Sequence, residues 1–250
     1  MPMISRRDVL VLSAGALAAA KLPSAFAQDA PAERHGMSAF GDLAYAPDFK
    51  QFAYVNPDAP KGGAYSESVS SRGYNGSFLT FNSLNAYILK GDGAFGMDLT
   101  FATLMARSGD EPDAMYGFAA RSVRISDGGL TYIFLMRPEA KFHNGARLGA
   151  EDVAWSLNTL KDKGHPIVAR LLRDCKGAEM TGKDEVTVRF AEKRGRDVPL
   201  FVAGLPIFSR AYYGAHEFDQ TTLEAPLGSG VYKVGRFEPG RFIEFNRVKD

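Results

Sequence analysis

Apolar and polar positions alternate most clearly in three stretches of the chain, and each predicts a β-hairpin. Val123, Ile125 and then residues 130–136 are apolar on either side of Ser126-Asp127-Gly128-Gly129, four residues suited to a tight reversal. Residues 176–190 repeat the form, with Thr181-Gly182-Lys183-Asp184 as the turn and Val186, Val188 and Phe190 pointing inward. Residues 231–237 and 241–248, parted by Glu238-Pro239-Gly240, make the third.

Helical spacing is strongest over Ala150–Lys163. Ala150, Val153, Ala154, Leu157 and Leu160 form one stripe, Glu151 and Asp152 favour the start, Lys161 and Lys163 the end, and Gly164 and Pro166 stop it. Residues 99–105 predict a shorter helix, residues 64–70 a first strand, and residues 71–77 a polar loop carrying Tyr74. Residues 35–63 are interrupted by Pro47, Asn56-Pro57, Ala59-Pro60 and Lys61-Gly62-Gly63, so an irregular segment draped over a surface is expected there. Hairpins with helices between them place the fold in the mixed α/β (α+β) class.

The N-terminus has a different pattern. Arg6 and Arg7 precede an apolar run, Val9 to Ala20, too short to span a bilayer, and Ala25-Phe26-Ala27 follows. This predicts an export signal cleaved after Ala27 and a periplasmic destination. Ser5-Arg6-Arg7-Asp8-Val9-Leu10 resembles the twin-arginine export motif, and Lys21 suits such a signal. No cysteine follows the cleavage position, so a lipid anchor is not indicated.

Composition then narrows the function classes. The chain has 250 residues, 45% of them hydrophobic, with 30 Lys and Arg against 29 Asp and Glu. That balance excludes disorder and a broad basic surface, so no nucleic-acid partner is expected. Removing residues 1–27 takes away Arg6, Arg7 and Lys21 against Asp8 alone and leaves a nearly neutral chain. The single cysteine, Cys175, can form neither an intrachain disulfide nor a thiolate metal cluster.

Compact catalytic motifs are missing. His216-Glu217 is followed by Gln220 where a second zinc-ligating histidine would stand, and Gly228-Ser229-Gly230 lacks the spacing of a nucleophile elbow. His35, His143, His165 and His216 are too far apart in sequence for a local ligand set, and Asp110-Glu111 and Glu151-Asp152 suit a loop and a helix start. No catalytic residue, metal or cofactor is therefore assigned. A binding protein shows this silence naturally, because recognition by backbone groups, aromatics and single charges leaves no compact signature.

Five segments in order carry a family resemblance: Ala119-Ala120-Arg121-Ser122-Val123, residues 126–138, Lys141-Phe142-His143-Asn144-Gly145, residues 150–157 and Pro226-Leu227-Gly228-Ser229-Gly230-Val231-Tyr232. Together they resemble family 5 of the extracellular solute-binding proteins, the peptide- and nickel-binding components of ABC importers. His35-Gly36-Met37-Ser38-Ala39-Phe40-Gly41 and residues 54–63 are similar to the Yej-type branch, associated with oligopeptides and microcin C-like conjugates. One position departs: Val231 stands where the family has proline.

The resemblance implies a type II periplasmic binding protein in which ligand enters a cleft between two lobes and the closed form docks on an inner-membrane permease. Residues 28–88 would begin lobe I, residues 89–222 form its extra subdomain and residues 223–250 return into it. The second lobe would follow residue 250, so this chain is expected to be an N-terminal portion with that lobe missing and with weakened binding. Ser70, Ser71, Arg72, Gly73, Tyr74 and Asn75, with Phe81 and Asn82, are the expected ligand wall of lobe I. An oligopeptide or peptide-like ligand, an ABC permease and a monomeric state follow from the same resemblance. An exported enzyme and a shortened paralogue without a transport role are the alternatives.

Overall fold

The computed structural model describes residues 31–67, 80–193 and 195–249. A five-stranded antiparallel sheet organises them, in the order β1 (Glu33–Arg34), β5 (Ala120–Ser126), β6 (Thr131–Met136), β8 (Glu185–Phe190), β7 (Cys175–Gly182). A second sheet has the order β2 (Gly36–Ser38), β4 (Ala114–Gly117), β3 (Met105–Arg107). β9 (Tyr232–Glu238) and β10 (Phe242–Arg247) pair only with each other among the described strands. The three hairpins expected from the alternation are therefore the β5–β6, β7–β8 and β9–β10 pairs.

The β5–β6 turn shows why its residues are needed. Asp127, Gly128 and Gly129 all have positive φ (52°, 64° and 91°), and the Thr131 hydroxyl donates to Asp127 Oδ2 at 2.5 Å. In the inner strands, Val186 and Val188 are fully buried, as are Phe134 and Met136 on β6. Helix α1 (Ala150–Lys163) covers this side of the sheet, burying Val153, Leu157 and Leu160. The Gly149 amide donates to Asp152 Oδ2 at 2.9 Å and fixes the first turn. Short helices follow at α2 (Pro166–Leu171), whose first free amide at Ile167 donates to His165 Nδ1, at α3 (Val198–Ala203) and at α4 (Arg210–Tyr213). No helix of the described residues is long and apolar enough to cross a membrane.

Two expectations fail. Residues 99–105 do not form a helix: a 3-10 turn occupies Met97–Thr100, Phe101 is extended, and β3 starts at Met105. The Thr100 hydroxyl donates back to the Met97 carbonyl at 2.6 Å, and the Thr100 carbonyl accepts the amides of Ser229 and Gly230, both at 2.9 Å. The acceptor that would continue a helix is thus taken by the segment leading into β9. Residues 64–67 likewise carry no strand pairing, and the rest of that expected strand lies outside the described residues.

The draped segment is held by rings. Tyr45, Phe49 and Phe52 pack edge-on around Tyr116, with centroids 5.1 to 5.8 Å from it. Tyr116 donates its hydroxyl to Glu111 at 2.5 Å, and Tyr45 does the same to Asp110. The main core runs between α1, the five-stranded sheet and α3, centred on Phe134, Leu160, Val186 and Phe208. A second cluster of Phe81, Leu84, Ala94 and Met97 packs against Val234, Phe237, Ile243 and Phe245 of the last hairpin.

Candidate functional site

Of the eight expected ligand-wall residues, Ser70, Ser71, Arg72, Gly73, Tyr74 and Asn75 lie outside the described residues. The described chain resumes at Thr80, whose hydroxyl oxygen would lie 3.2 Å from a Cβ placed on Gly240. The described chain after the expected wall therefore begins beside the tip of the β9–β10 turn. Phe81 is buried, its ring 6.3 Å from that of Phe237, so this side chain is spent on packing. Asn82 is exposed: Oδ1 accepts the Asp92 amide at 2.9 Å, and among the described residues no group is bonded to its side-chain nitrogen.

A rigid strut follows. Ser83 pairs with Gly93, the Leu84 amide donates to the Thr222 carbonyl at 2.6 Å, and the buried Asn85 donates from Nδ2 to the carbonyls of Phe218 (2.6 Å) and Gln220 (3.2 Å). This strut joins residues 28–88 to the end of residues 89–222. Sequence reasoning missed it; its one signal is an asparagine set in an otherwise apolar run.

Gly228-Ser229-Gly230 is a packing joint. A Cβ on Gly228 would come 2.2 Å from the Thr100 carbonyl oxygen and one on Gly230 2.4 Å from that of Leu99, so two backbones touch where neither tolerates a side chain. Ser229 Oγ accepts the Ala102 amide at 3.0 Å. His143 seals the joint by donating from Nε2 to the Gly230 carbonyl at 2.8 Å; burial, and next the Lys233 charge, hold its pKa below the usual imidazole range.

Two of the cavities on the described surface are notable. One, of about 540 Å³, is an apolar groove lined by Tyr87, Phe95, Met97, Met105, Phe201 and Leu205, with Asp98 and Arg107 on its lining. The other, of about 420 Å³, lies between α1 and residues 213–218. Trp155 forms part of its wall, its ring stacked on Tyr213 at 5.4 Å. Among the described residues no three His, Cys, Asp or Glu side chains gather as a metal site would require. His165 caps α2, and His216 donates from Nδ1 to the Tyr212 carbonyl at 2.8 Å, so each has a structural partner. Cys175 is buried, and burial pushes its thiol pKa up, away from the thiolate a nucleophile needs.

Comparison with known proteins places this geometry. Residues 114–250, more than half the chain, match the family model described as bacterial extracellular solute-binding proteins, family 5 Middle. The chain is 32% identical over 254 residues to the probable peptide-binding protein YejA of Agrobacterium fabrum, covering 99% of this chain and 40% of that protein. It is 34% identical over 226 residues to the peptidoglycan-binding protein YepA of the same organism, covering 86% of this chain and 35% of that one. Among solved structures, the oligopeptide-binding protein AppA of Bacillus subtilis in complex with a nonapeptide superposes with a TM-score of 0.56 at 22% identity, over 70% of this chain and 35% of that one. NikA of Brucella suis in complex with Fe(III)-EDTA gives 0.54 at 20% identity, over 68% and 34%. The chain thus spans about a third to two fifths of the length of these relatives. The mixed α/β fold expected for a periplasmic binding protein is the fold found, and the chain belongs to the bacterial extracellular solute-binding proteins of family 5.

Proposed function

We propose that this protein is the solute-binding component of an ABC importer for oligopeptides or peptide-like solutes, exported to the periplasm after cleavage behind Ala27. The observation that carries this reading is the 32% identity, across nearly the whole chain, to a relative described as a probable peptide-binding protein. Ser70, Ser71, Arg72, Gly73, Tyr74 and Asn75 form the ligand wall of lobe I, with Arg72 facing a peptide carboxylate and Tyr74 stacking on a side chain. Asn82 adds a free amide donor at the downstream end of that wall, suited to a peptide carbonyl. Phe81 holds the wall in place without touching ligand. A peptide bound along such a wall is recognised through its main chain, which accommodates varied side chains. The loaded form then docks on the membrane permease.

Thermal unfolding in the presence of a diverse tri- to nonapeptide library tests this. Peptides are expected to raise the melting temperature, since a ligand at a hundred times its Kd stabilises by about 2.7 kcal/mol. Arg72→Ala and Asn82→Asp, which keeps an acceptor for the Asp92 amide but has no donor, should reduce that shift while leaving the unliganded melting point in place. A library without effect, or shifts indifferent to both substitutions, would overturn the proposal.

A further inference from the structure

The cavity between α1 and residues 213–218 contains polar groups that the fold does not use. Trp155, Thr159 and Lys163 follow one another at four-residue spacing, so they share one face of α1 over about 12 Å. Within the described structure the Trp155 indole N–H, the Thr159 hydroxyl and the Lys163 ammonium have no hydrogen-bond or ion-pair partner. On the facing wall the Tyr213 hydroxyl is likewise unpaired, and burial pushes its pKa up, so it remains a donor. Glu217 completes the lining; one oxygen accepts from Gln220 at 3.2 Å and the other is open. Lys163 and Glu217 form no ion pair with each other. His216 is already committed to the Tyr212 carbonyl and lies 3.5 Å from Glu224, so it contributes no free group.

Two opposite charges left apart in one cavity, with neutral donors on Thr159 and on the stacked Trp155–Tyr213 pair, complement a molecule carrying both charges on a small apolar body. We propose that this cavity is a second solute site, lined by none of the residues assigned to the peptide wall, which takes a zwitterion of amino-acid size. The ligand carboxylate meets Lys163 and the neutral donors, and its ammonium meets Glu217. The apolar part lies against Trp155 and Tyr213.

Trp155 is the one tryptophan of the chain, so its fluorescence reports on this cavity directly. The probe is L-leucine, with N-acetyl-leucine lacking the ammonium and leucinamide lacking the carboxylate. Leucine is expected to give a saturable emission change below about 10 mM, and either blocked form to bind about tenfold more weakly for its lost charged hydrogen bonds. Lys163→Met should weaken leucine about tenfold and bring leucinamide level with it; Glu217→Gln should do the same for N-acetyl-leucine. Both residues are exposed, and Lys163→Gln serves in place of Lys163→Met should the latter fail to fold. No saturable response to leucine, equal responses to the three compounds, or an unchanged leucine response in the Lys163 variant would each overturn the proposal. Because Lys163 and Glu217 are not among the residues assigned to the peptide wall, peptide-induced melting shifts retained in both variants separate this site from the importer reading.

Discussion

Asn85 Nδ2 donates to the Phe218 carbonyl at 2.6 Å, a contact spanning 133 residues of sequence. The same side chain accepts the Tyr87 amide through Oδ1 at 3.2 Å, and the residue is buried. Asn85→Ala therefore leaves the Phe218 carbonyl and the Tyr87 amide unsatisfied in the interior and takes the donor from the Gln220 carbonyl. Each buried polar group left without its partner costs about 1 to 3 kcal/mol, so Asn85→Ala is expected to lower stability by about 2 to 4 kcal/mol in urea unfolding. A loss below about 0.5 kcal/mol would show that water replaces these bonds without penalty.

The contact of Gly228 with Thr100 gives a steric test. A methyl group at Gly228 meets a carbonyl oxygen at 2.2 Å and the His143 ring at 2.8 Å, so one backbone segment must move. Gly228→Ala is expected to cost more than about 2 kcal/mol, at the upper end of ordinary substitutions. Gly145→Ala is the control: a Cβ there meets nothing within 4 Å, and its φ of 84° confines the penalty to backbone strain of about 1 to 2 kcal/mol.

What could be read from the sequence was local. The β5–β6 hairpin and helix α1 were legible because their signals, Asp127-Gly128-Gly129 and the Val153, Leu157, Leu160 stripe, act over a few residues. Residues 99–105 misled because their apolar spacing fits a helix, while the carbonyl of Thr100 is claimed by Ser229 and Gly230, about 130 positions away. The ring cluster on Tyr116 and the strut through Asn85 were invisible for the same reason: each joins segments remote in sequence. As for the peptide wall, six of its eight residues lie outside the described structure; of the other two, Asn82 retains a free donor, whereas Phe81 turned out to be core.

The buried Cys175 thiol predicts protection from alkylation. Its pKa is raised, first by burial and against smaller lowering effects from backbone hydrogen bonding at Gly177 and from Lys161, so neither access nor thiolate character favours reaction. Iodoacetamide at neutral pH should leave the native protein unlabelled and modify one thiol once urea passes the unfolding midpoint. Labelling as fast in buffer as in urea would mean that the end of β7 opens readily in the native state.

Tyr116 links the draped segment to β4 and carries an alkaline limb of stability. Burial first, then the hydrogen bond to Glu111, pushes its pKa up to about 12 from 10.0. Between those values the unfolded chain has lost the phenolic proton that the folded chain keeps, so stability falls as pH rises from about 10 to about 12. Difference absorbance at 295 nm between the protein and Tyr116→Phe should show one phenol titrating late. At neutral pH the same variant should cost about 1 to 2 kcal/mol, because the Glu111 carboxylate and the Tyr45 amide each lose a partner.

His143 supplies the corresponding limb on the acid side. Its folded pKa lies below the 6.5 of a free imidazole, chiefly through burial and secondly through Lys233, while the Gly230 carbonyl opposes the shift. Between the folded value and 6.5 the unfolded chain binds more protons, so the protein is most stable above 6.5 and loses stability as pH falls through the folded pKa. The upper edge of that window, 6.5, lies above the range of ordinary carboxylates, about 3.9 to 4.3, so the onset of the decline can be separated from their titration. Melting temperatures from pH 7.5 down to 5 should decline, and the decline should flatten in His143→Gln, which keeps a donor for the Gly230 carbonyl and cannot take up a proton. Because Gly230 leads directly into β9, the hairpin should loosen first, visible as faster amide exchange in residues 232–247 at pH 5 than at pH 7.5 after correction for intrinsic rates. An equal decline in both proteins would place the acid-sensitive group elsewhere and leave His143 a purely steric role in the joint.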